Sequence, residues 1–260
     1  MNQPLISIVT IVYNGARQLE KTIESVLYQT YPHIEYIIVD GGSTDGTLAI
    51  IKSYENRLAK WISEPDKGIY DAMNKGIDLA TGKWINFMNC GDQFISENVV
   101  EKISKYLGEA HDIVYGDAIV LYPTFNTKLK TTPVRKLWKG MSFCHQAAFV
   151  RTALMKEFKF DLSYKVSGDF DFLYRMHVAK KEFFHVKEDV CYYDYKEGTS
   201  KKMVILSAKE RQKSVLREGF NLKKWLYYAS YKNYLLFTLF IKRILGDKTT
   251  GSITRMLRNR

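Results

Sequence analysis

The chain has three cysteines in 260 residues. Cys90, Cys144 and Cys191 are odd in number, far apart and free of any Cys-x-x-Cys spacing, which excludes a cysteine-ligated zinc site and a disulfide framework and fits a reducing compartment. No succession of basic segment, hydrophobic stretch and cleavage site opens the chain, so the expectation is no signal peptide and a cytoplasmic location. No Gly-x-Gly-x-x-Gly follows the first apolar run and no Gly-x₄-Gly-Lys-Ser/Thr occurs anywhere, which removes dinucleotide-dependent dehydrogenases and P-loop NTPases. Internal repeats and low-complexity tracts are absent. The apolar run at 234–241 is too short to span a bilayer.

Charge of one sign is in excess instead. With 39 Lys and Arg against 28 Asp and Glu the net charge is +11, which calls for anionic partners such as nucleic acid, a nucleotide diphosphate or an acidic lipid surface. The first half is nearly balanced, and the basic residues crowd the stretch beyond residue 200. They follow no helix-turn-helix, RNA-recognition or zinc pattern, so nucleic acid is not the expected partner. At 46% hydrophobic the chain can bury one full α/β core, read here as a domain over 1–200 with a basic, aromatic, helical extension over 201–260. In that extension Trp225-Leu226-Tyr227-Tyr228 and the run 234–241 lie between Lys223-Lys224 and Lys242-Arg243. Two readings stay open: an in-plane helix on an anionic cytoplasmic leaflet, or a helical pair packed on the domain or on a second subunit in a homo-oligomer.

The N-terminal pattern alternates strand and helix. Ile6-Ser7-Ile8-Val9-Thr10-Ile11-Val12 runs into Tyr13-Asn14, and Ile37-Ile38-Val39 runs into Asp40-Gly41-Gly42-Ser43-Thr44-Asp45-Gly46-Thr47 about one βαβ unit (~30 residues) later. A buried strand ending in a carboxylate and a Gly-rich loop delivers an acid to a sheet edge where a ligand can approach the backbone. Helices are expected after Asn14, after Gly46, over 69–80, over 97–107 and from about Asp169, with strands at 61–63, 84–88, 112–117, 183–186 and 190–193. The fold class is therefore α/β, a mostly parallel sheet flanked by helices, with ligands beyond the carboxyl ends of the strands. The stretch 122–140 is weakly patterned and reads as a hairpin and a loop.

These two strand-loop motifs resemble the opening of the family 2 glycosyltransferases, inverting sugar-nucleotide enzymes with the GT-A fold. The resemblance continues through Ser63-Glu64-Pro65-Asp66-Lys67-Gly68-Ile69-Tyr70-Asp71-Ala72-Met73-Asn74-Lys75-Gly76, through Asn89-Cys90-Gly91-Asp92 and through Ser167-Gly168-Asp169-Phe170-Asp171, about three quarters of the chain. It implies hexosyl or N-acetylhexosaminyl transfer from a nucleotide-diphosphate sugar, UDP by default. The acceptor would be a glycan, by analogy a lipid-linked one of a bacterial surface polysaccharide, with the enzyme peripheral on the inner face of the cytoplasmic membrane.

In that family the carboxylate matching Asp40 grips the base, and the residue matching Thr10 lines the same pocket with Tyr13 and Asn14; Asp40 also reads as a turn or cap residue. The resemblance puts Asp66 near the nucleoside, while Lys67 is either an answer to the diphosphate charge or a solvated loop lysine. Asp71 and Asn74, three apart on one helical face, either point into the crevice or cap and pack the loop above. Family members carry Asp-x-Asp for Mg²⁺ or Mn²⁺; here Asn89 replaces the first acid and Asp92 is retained, so a divalent cation is expected but more weakly held. Asn89, Gly91, His145 and Gln146 are candidates for the donor sugar and diphosphate, and His145 is also a candidate metal ligand or a hydrogen-bonded core histidine. Asp169 matches the general base, with a helix N-cap as its bland reading. One alternative keeps the fold and changes the activity: with Asn89 in place of the acid, the chain would bind sugar nucleotides as an inactive assembly partner.

Overall fold

A computed structural model describes residues 3–121, 126–194 and 203–258, and the side chains beyond Phe240 lie outside what it describes. The chain divides into two compact units, Met1–Gly198 and Thr199–Arg260.

The first unit is built on one mixed sheet. Strands β1 (Ile6–Val12), β2 (Ile34–Asp40), β3 (Lys60–Ser63) and β4 (Trp84–Phe87) run parallel in the order β3-β2-β1-β4. All seven residues of β1 are buried, as expected for the strand at the centre of the parallel half and covered on both faces. The connecting helices bury one stripe each. In α1 (Leu19–Leu27) the buried residues are Leu19, Thr22, Ile23 and Val26; α2 (Thr47–Ser53) follows β2; and α3 (Ile69–Leu79) buries Tyr70, Ala72, Met73, Gly76 and Ile77.

Beyond β4 the pairing changes sense. After the short β5 (Gln93–Phe94) and α4 (Val99–Ser104) come β6 (Ile113–Leu121) and β7 (Asn126–Lys128), then β8 (Ala148–Arg151), α5 (Thr152–Phe158), α6 (Gly168–Val178) and β9 (Phe183–Asp194). Strand β8 lies antiparallel to both β4 and β6, and β9 lies parallel to β6 and antiparallel to β5. The parallel arrangement expected from the first 92 residues thus ends at β4. Because β8 runs the other way, its start rather than its end joins the ligand-facing rim. The two late strand segments are one strand, β9, with a register shift opposite Tyr115 to Ala118. The fourth helix is shorter than the apolar spacing over 97–107 suggests, and β6 runs past Asp117 to Leu121. Part of the weakly patterned stretch, 122–125, lies outside the described residues; β6 and β7 pair on either side of it.

The second unit contains α7 (Val204–Leu216) and the long α8 (Leu222–Arg258). Among the described residues no helix is long and apolar enough to cross a membrane.

Candidate active site

The parallel strands end together at one edge, and there the loop after β2 folds into a platform from its own polar side chains. Asp40 is fully buried. Its Oδ2 accepts from the Gly42 and Ser43 amides at 3.1 and 3.0 Å and from Ser63 Oγ at 2.7 Å, and its Oδ1 accepts from the Ser43 hydroxyl. Asn14, in the left-handed region at φ 50°, accepts from the Thr44 amide through Oδ1 at 2.9 Å and donates its own amide to Ser43 Oγ at 2.7 Å. Asp45, just ahead of α2, accepts from the Thr47 amide at 3.1 Å and takes the Ala16 amide at 3.2 Å. The motif therefore satisfies itself. Asp40 is fully buried within this network, so it holds the β2 loop together. Thr10 is likewise fully buried, and its hydroxyl donates to the Met88 carbonyl at 2.7 Å and pairs with Tyr36 Oη at 3.0 Å.

At Gly41 the platform makes room for its neighbours. A Cβ there would lie 2.6 Å from Asp66 Oδ2 and 3.4 Å from Tyr13 Cδ2, so only a bare Cα lets the Asp66 carboxylate and the Tyr13 ring come this close together. Tyr13 is 67% exposed. Asp66 is held from behind by Lys75 Nζ at 2.6 Å from its Oδ1, and Lys75 in turn reaches Glu64 at 2.9 Å and the Pro65 carbonyl at 3.0 Å. Burial works against the Lys75 ammonium, but the Asp66 and Glu64 hydrogen bonds and charges outweigh it and raise its pKa. Lys67 is exposed on the loop above, and its amide donates to Asp71 Oδ2 at 2.9 Å. Asp71 is thus a loop cap. Asn74 takes the packing role: its Nδ2 donates to the Phe160 carbonyl and its Oδ1 accepts the Phe160 amide, both at 2.9 Å, so it clamps the chain after α5.

A second group of side chains gathers Asp169, His145 and a tyrosine that no local pattern singles out. Asp169 opens α6 and turns its carboxylate to Tyr70 Oη at 3.2 Å on Oδ1 and to His145 Nδ1 at 3.2 Å on Oδ2, so it does not act merely as a cap. Burial and the Asp169 charge push the Tyr70 phenol well above its ordinary pKa, which keeps it a donor. Gly168 makes the approach possible, since a Cβ there would lie 2.9 Å from the Tyr70 ring. For His145, burial disfavours the imidazolium, yet the Asp169 hydrogen bond and charge prevail and hold its pKa above the usual value. Its Nε2 sits 3.3 Å from Asn89 Nδ2, while Asn89 Oδ1 is buried without a partner. An amide at this position serves either form of the ring, donating to a neutral Nε2 or, turned over, accepting from a protonated one. With both ring nitrogens engaged, His145 is not placed as a metal ligand. A cavity of about 20 Å³, room for one water, lies against the pair between Met73, Phe87, Met155, Phe160 and Phe172. Asp171, the other acid of the segment, is buried and pairs with Arg175 Nε at 2.9 Å, fixing the carbonyls of Phe158 and Lys159 through the same guanidinium.

Gly91 and Gln146 also fall to structural use. The Gly91 amide donates to Thr22 Oγ1 at 3.0 Å, and buried Gln146 gives its Nε2 to Asp92 Oδ2 at 2.7 Å. Among the described residues no group of three or more His, Cys, Asp or Glu is arranged to hold a metal. The donors that fit a hard cation are Asp92 and the partnerless Asn89 oxygen, a partial set that diphosphate oxygens and water would have to complete.

Both the sequence and the fold have counterparts among known proteins. The model of the family described as glycosyl transferase family 2 matches residues 7–168, more than half of the chain. The chain belongs to glycosyl transferase family 2, and its activity is glycosyl transfer. A PGL/p-HBAD biosynthesis glycosyltransferase of Mycobacterium tuberculosis is 35% identical over 178 residues, covering 66% of this chain and 69% of the relative. A putative teichuronic acid biosynthesis glycosyltransferase, TuaG of Bacillus subtilis, is 36% identical over 104 residues, 39% of this chain and 41% of its own. In fold, the transferase resembles S. aureus TarS 1-349, solved with UDP-GlcNAc, at a TM-score of 0.68 and 17% identity over 87% of this chain and 71% of that one. It also resembles the mannosyltransferase PcManGT of Pyrobaculum calidifontis, solved with GDP-Man and Mn²⁺, at 0.68 and 14% over 99% and 80%. The α/β unit is a GT-A fold.

Proposed function

We propose that the transferase is an inverting enzyme that moves a sugar from UDP to a hydroxyl of a glycan acceptor, lipid-linked and destined for a cell-surface polysaccharide or glycolipid, at the inner face of the cytoplasmic membrane. The observation that carries it is the presence of two prepared groups of side chains: Tyr13, Gly41 and Asp66 in one, and Asp169 held by Tyr70 and His145 in the other. The names of the mycobacterial and Bacillus relatives, which concern glycolipid and teichuronic acid biosynthesis, support the acceptor class.

In the first group the uracil stacks on Tyr13, and its imide N–H donates to Asp66 Oδ2. In the second, Asp169 takes the proton of the acceptor hydroxyl as the oxygen attacks the anomeric carbon, and the bond to the diphosphate oxygen breaks with inversion, its electron pair leaving on UDP. Tyr70 and His145 fix the Asp169 carboxylate in one orientation. A Mg²⁺ or Mn²⁺ bound at Asp92 and the Asn89 oxygen would offset the growing charge on the diphosphate, and Lys67 adds a mobile positive charge on the same side.

The test is turnover of UDP-sugars by wild type and Asp169→Asn, with UDP affinity measured on both. The substitution keeps shape and removes the base, so kcat should fall by about 10²-fold or more with UDP affinity unchanged. Equal turnover in the two proteins would end the assignment, and inactivity of the wild type toward every nucleotide sugar would favour the binding-only alternative.

A further inference from the structure

The second unit carries the whole charge excess of the protein. Residues 199–260 hold 15 of the 39 Lys and Arg but 3 of the 28 Asp and Glu, a net charge of +12 against −1 for the rest. The same unit exposes large apolar side chains where a soluble helix would show polar ones. Leu222, Trp225, Leu226, Leu236, Phe237 and Phe240 are each between 42% and 59% exposed. At 100° per residue these six fall within about 60° of one line along α8, as two triplets separated by Ala229 and Asn233, with Leu239, also 44% exposed, about 100° to one side. Tyr228, off that line, is fully buried, and α8 packs against α7, so the helix has an inner and an outer side. Lys223 and Lys232 project roughly 80–100° to either side of the apolar line, where their stems can lie along apolar surface while the ammonium groups stay in water.

We propose that this exposed face of α8 docks on an anionic phospholipid leaflet with the helix in the plane of the interface. The proposal deepens the reading of a lipid-linked acceptor by naming the surface that would bring the enzyme to it, and it rests on that reading only for its purpose. A spanning arrangement is not available to the described residues. A second copy of the chain is the less fitting occupant, because it would bring another unit of +12 against the first. An anionic leaflet supplies opposite charge at the lysines and an apolar layer for Trp225, Phe237 and Phe240.

The experiment is co-sedimentation of the full chain with vesicles of phosphatidylcholine alone and of phosphatidylcholine containing phosphatidylglycerol, at low and high salt. UDP affinity is measured on the same preparations. Wild type should bind the anionic vesicles at least about tenfold more tightly than the neutral ones, and salt should erode the difference. The exposed triple change Trp225→Ser, Phe237→Ser and Phe240→Ser should reduce anionic binding at least about tenfold with the melt and UDP affinity unaltered, while Leu at the same three positions should restore it. Wild type that ignores anionic vesicles overturns the proposal without needing any variant. So does undiminished binding by the Ser variant, which would make the attraction charge alone, or a wild-type dimer in sedimentation that the Ser changes dissociate. Retained UDP affinity in any of these cases leaves the transferase reading standing.

Discussion

Removing Asp66 separates the two carboxylates that end up beside the β2 loop. In Asp66→Ala the Lys75 ammonium keeps Glu64 at 2.9 Å and the Pro65 carbonyl at 3.0 Å, so α3 and its loop have reason to stay in place. What is lost is one charge-assisted hydrogen bond to the base, worth about 1.5–3 kcal/mol, or about 10- to 150-fold in Kd. Because the contact is to the base, UDP and uridine should weaken by the same factor in isothermal titration. CDP should lose little, since cytosine presents an acceptor where uracil presents the imide N–H, and the wild-type preference for UDP over CDP should collapse. Asp40→Asn should behave in the opposite way. It disturbs four hydrogen bonds at a fully buried site, which at about 2–4 kcal/mol lowers the melting temperature by roughly 5–15 °C. UDP affinity of the folded fraction should stay near wild type. UDP binding within twofold of wild type in Asp66→Ala, with an unchanged melt, refutes the base-reading role.

Glu35 gives a pH signature of the fold. Burial pushes its pKa up, but hydrogen bonds from Ser7 and from the Thr81 hydroxyl and amide, with Lys60 nearby, prevail and lower it. The stability it contributes is therefore present above roughly pH 4.3, the ordinary glutamate value, and is lost as pH falls through the lower folded-state pKa. Glu35→Gln should melt lower at pH 7 and show a shallower acid decline than wild type; parallel curves would contradict this. For the cation, Asp92→Ala should weaken UDP only when Mn²⁺ is present and leave uridine alone, and equal losses of both ligands with and without Mn²⁺ would exclude a metal role at that residue.

Much of this architecture is legible in the chain, because the signals for it are local. Two apolar β-branched runs that end at Asn14 and Asp40 announce parallel strands opening on one edge, and the turn from strand to helix periodicity near Asp169 places α6. The antiparallel insertion of β8 is not local. Nothing in Ala148-Phe149-Val150-Arg151 says that it will enter between β4 and β6. The same limit governs the site: Tyr70 meets Asp169 across 99 residues and Asn74 meets Phe160 across 86, and no spacing rule reaches that far.

The harder lesson lies inside the Asp40 to Thr47 segment, where one motif supports two readings. A carboxylate at a strand end followed by glycines reads as a ligand contact, but the same features also describe a carboxylate that organises its own turn, and backbone amides two and three residues on are always closer than a ligand. What distinguishes the two cases is where the empty space lies. Here the bare Cα of Gly41 leaves room for a neighbouring carboxylate, that of Asp66 on the next loop. Glycine in such a motif marks the approach path, and the acid that matters is the one whose far oxygen points into that path. By that criterion Asp40 builds the site and Asp66 is the residue to test for reading the base.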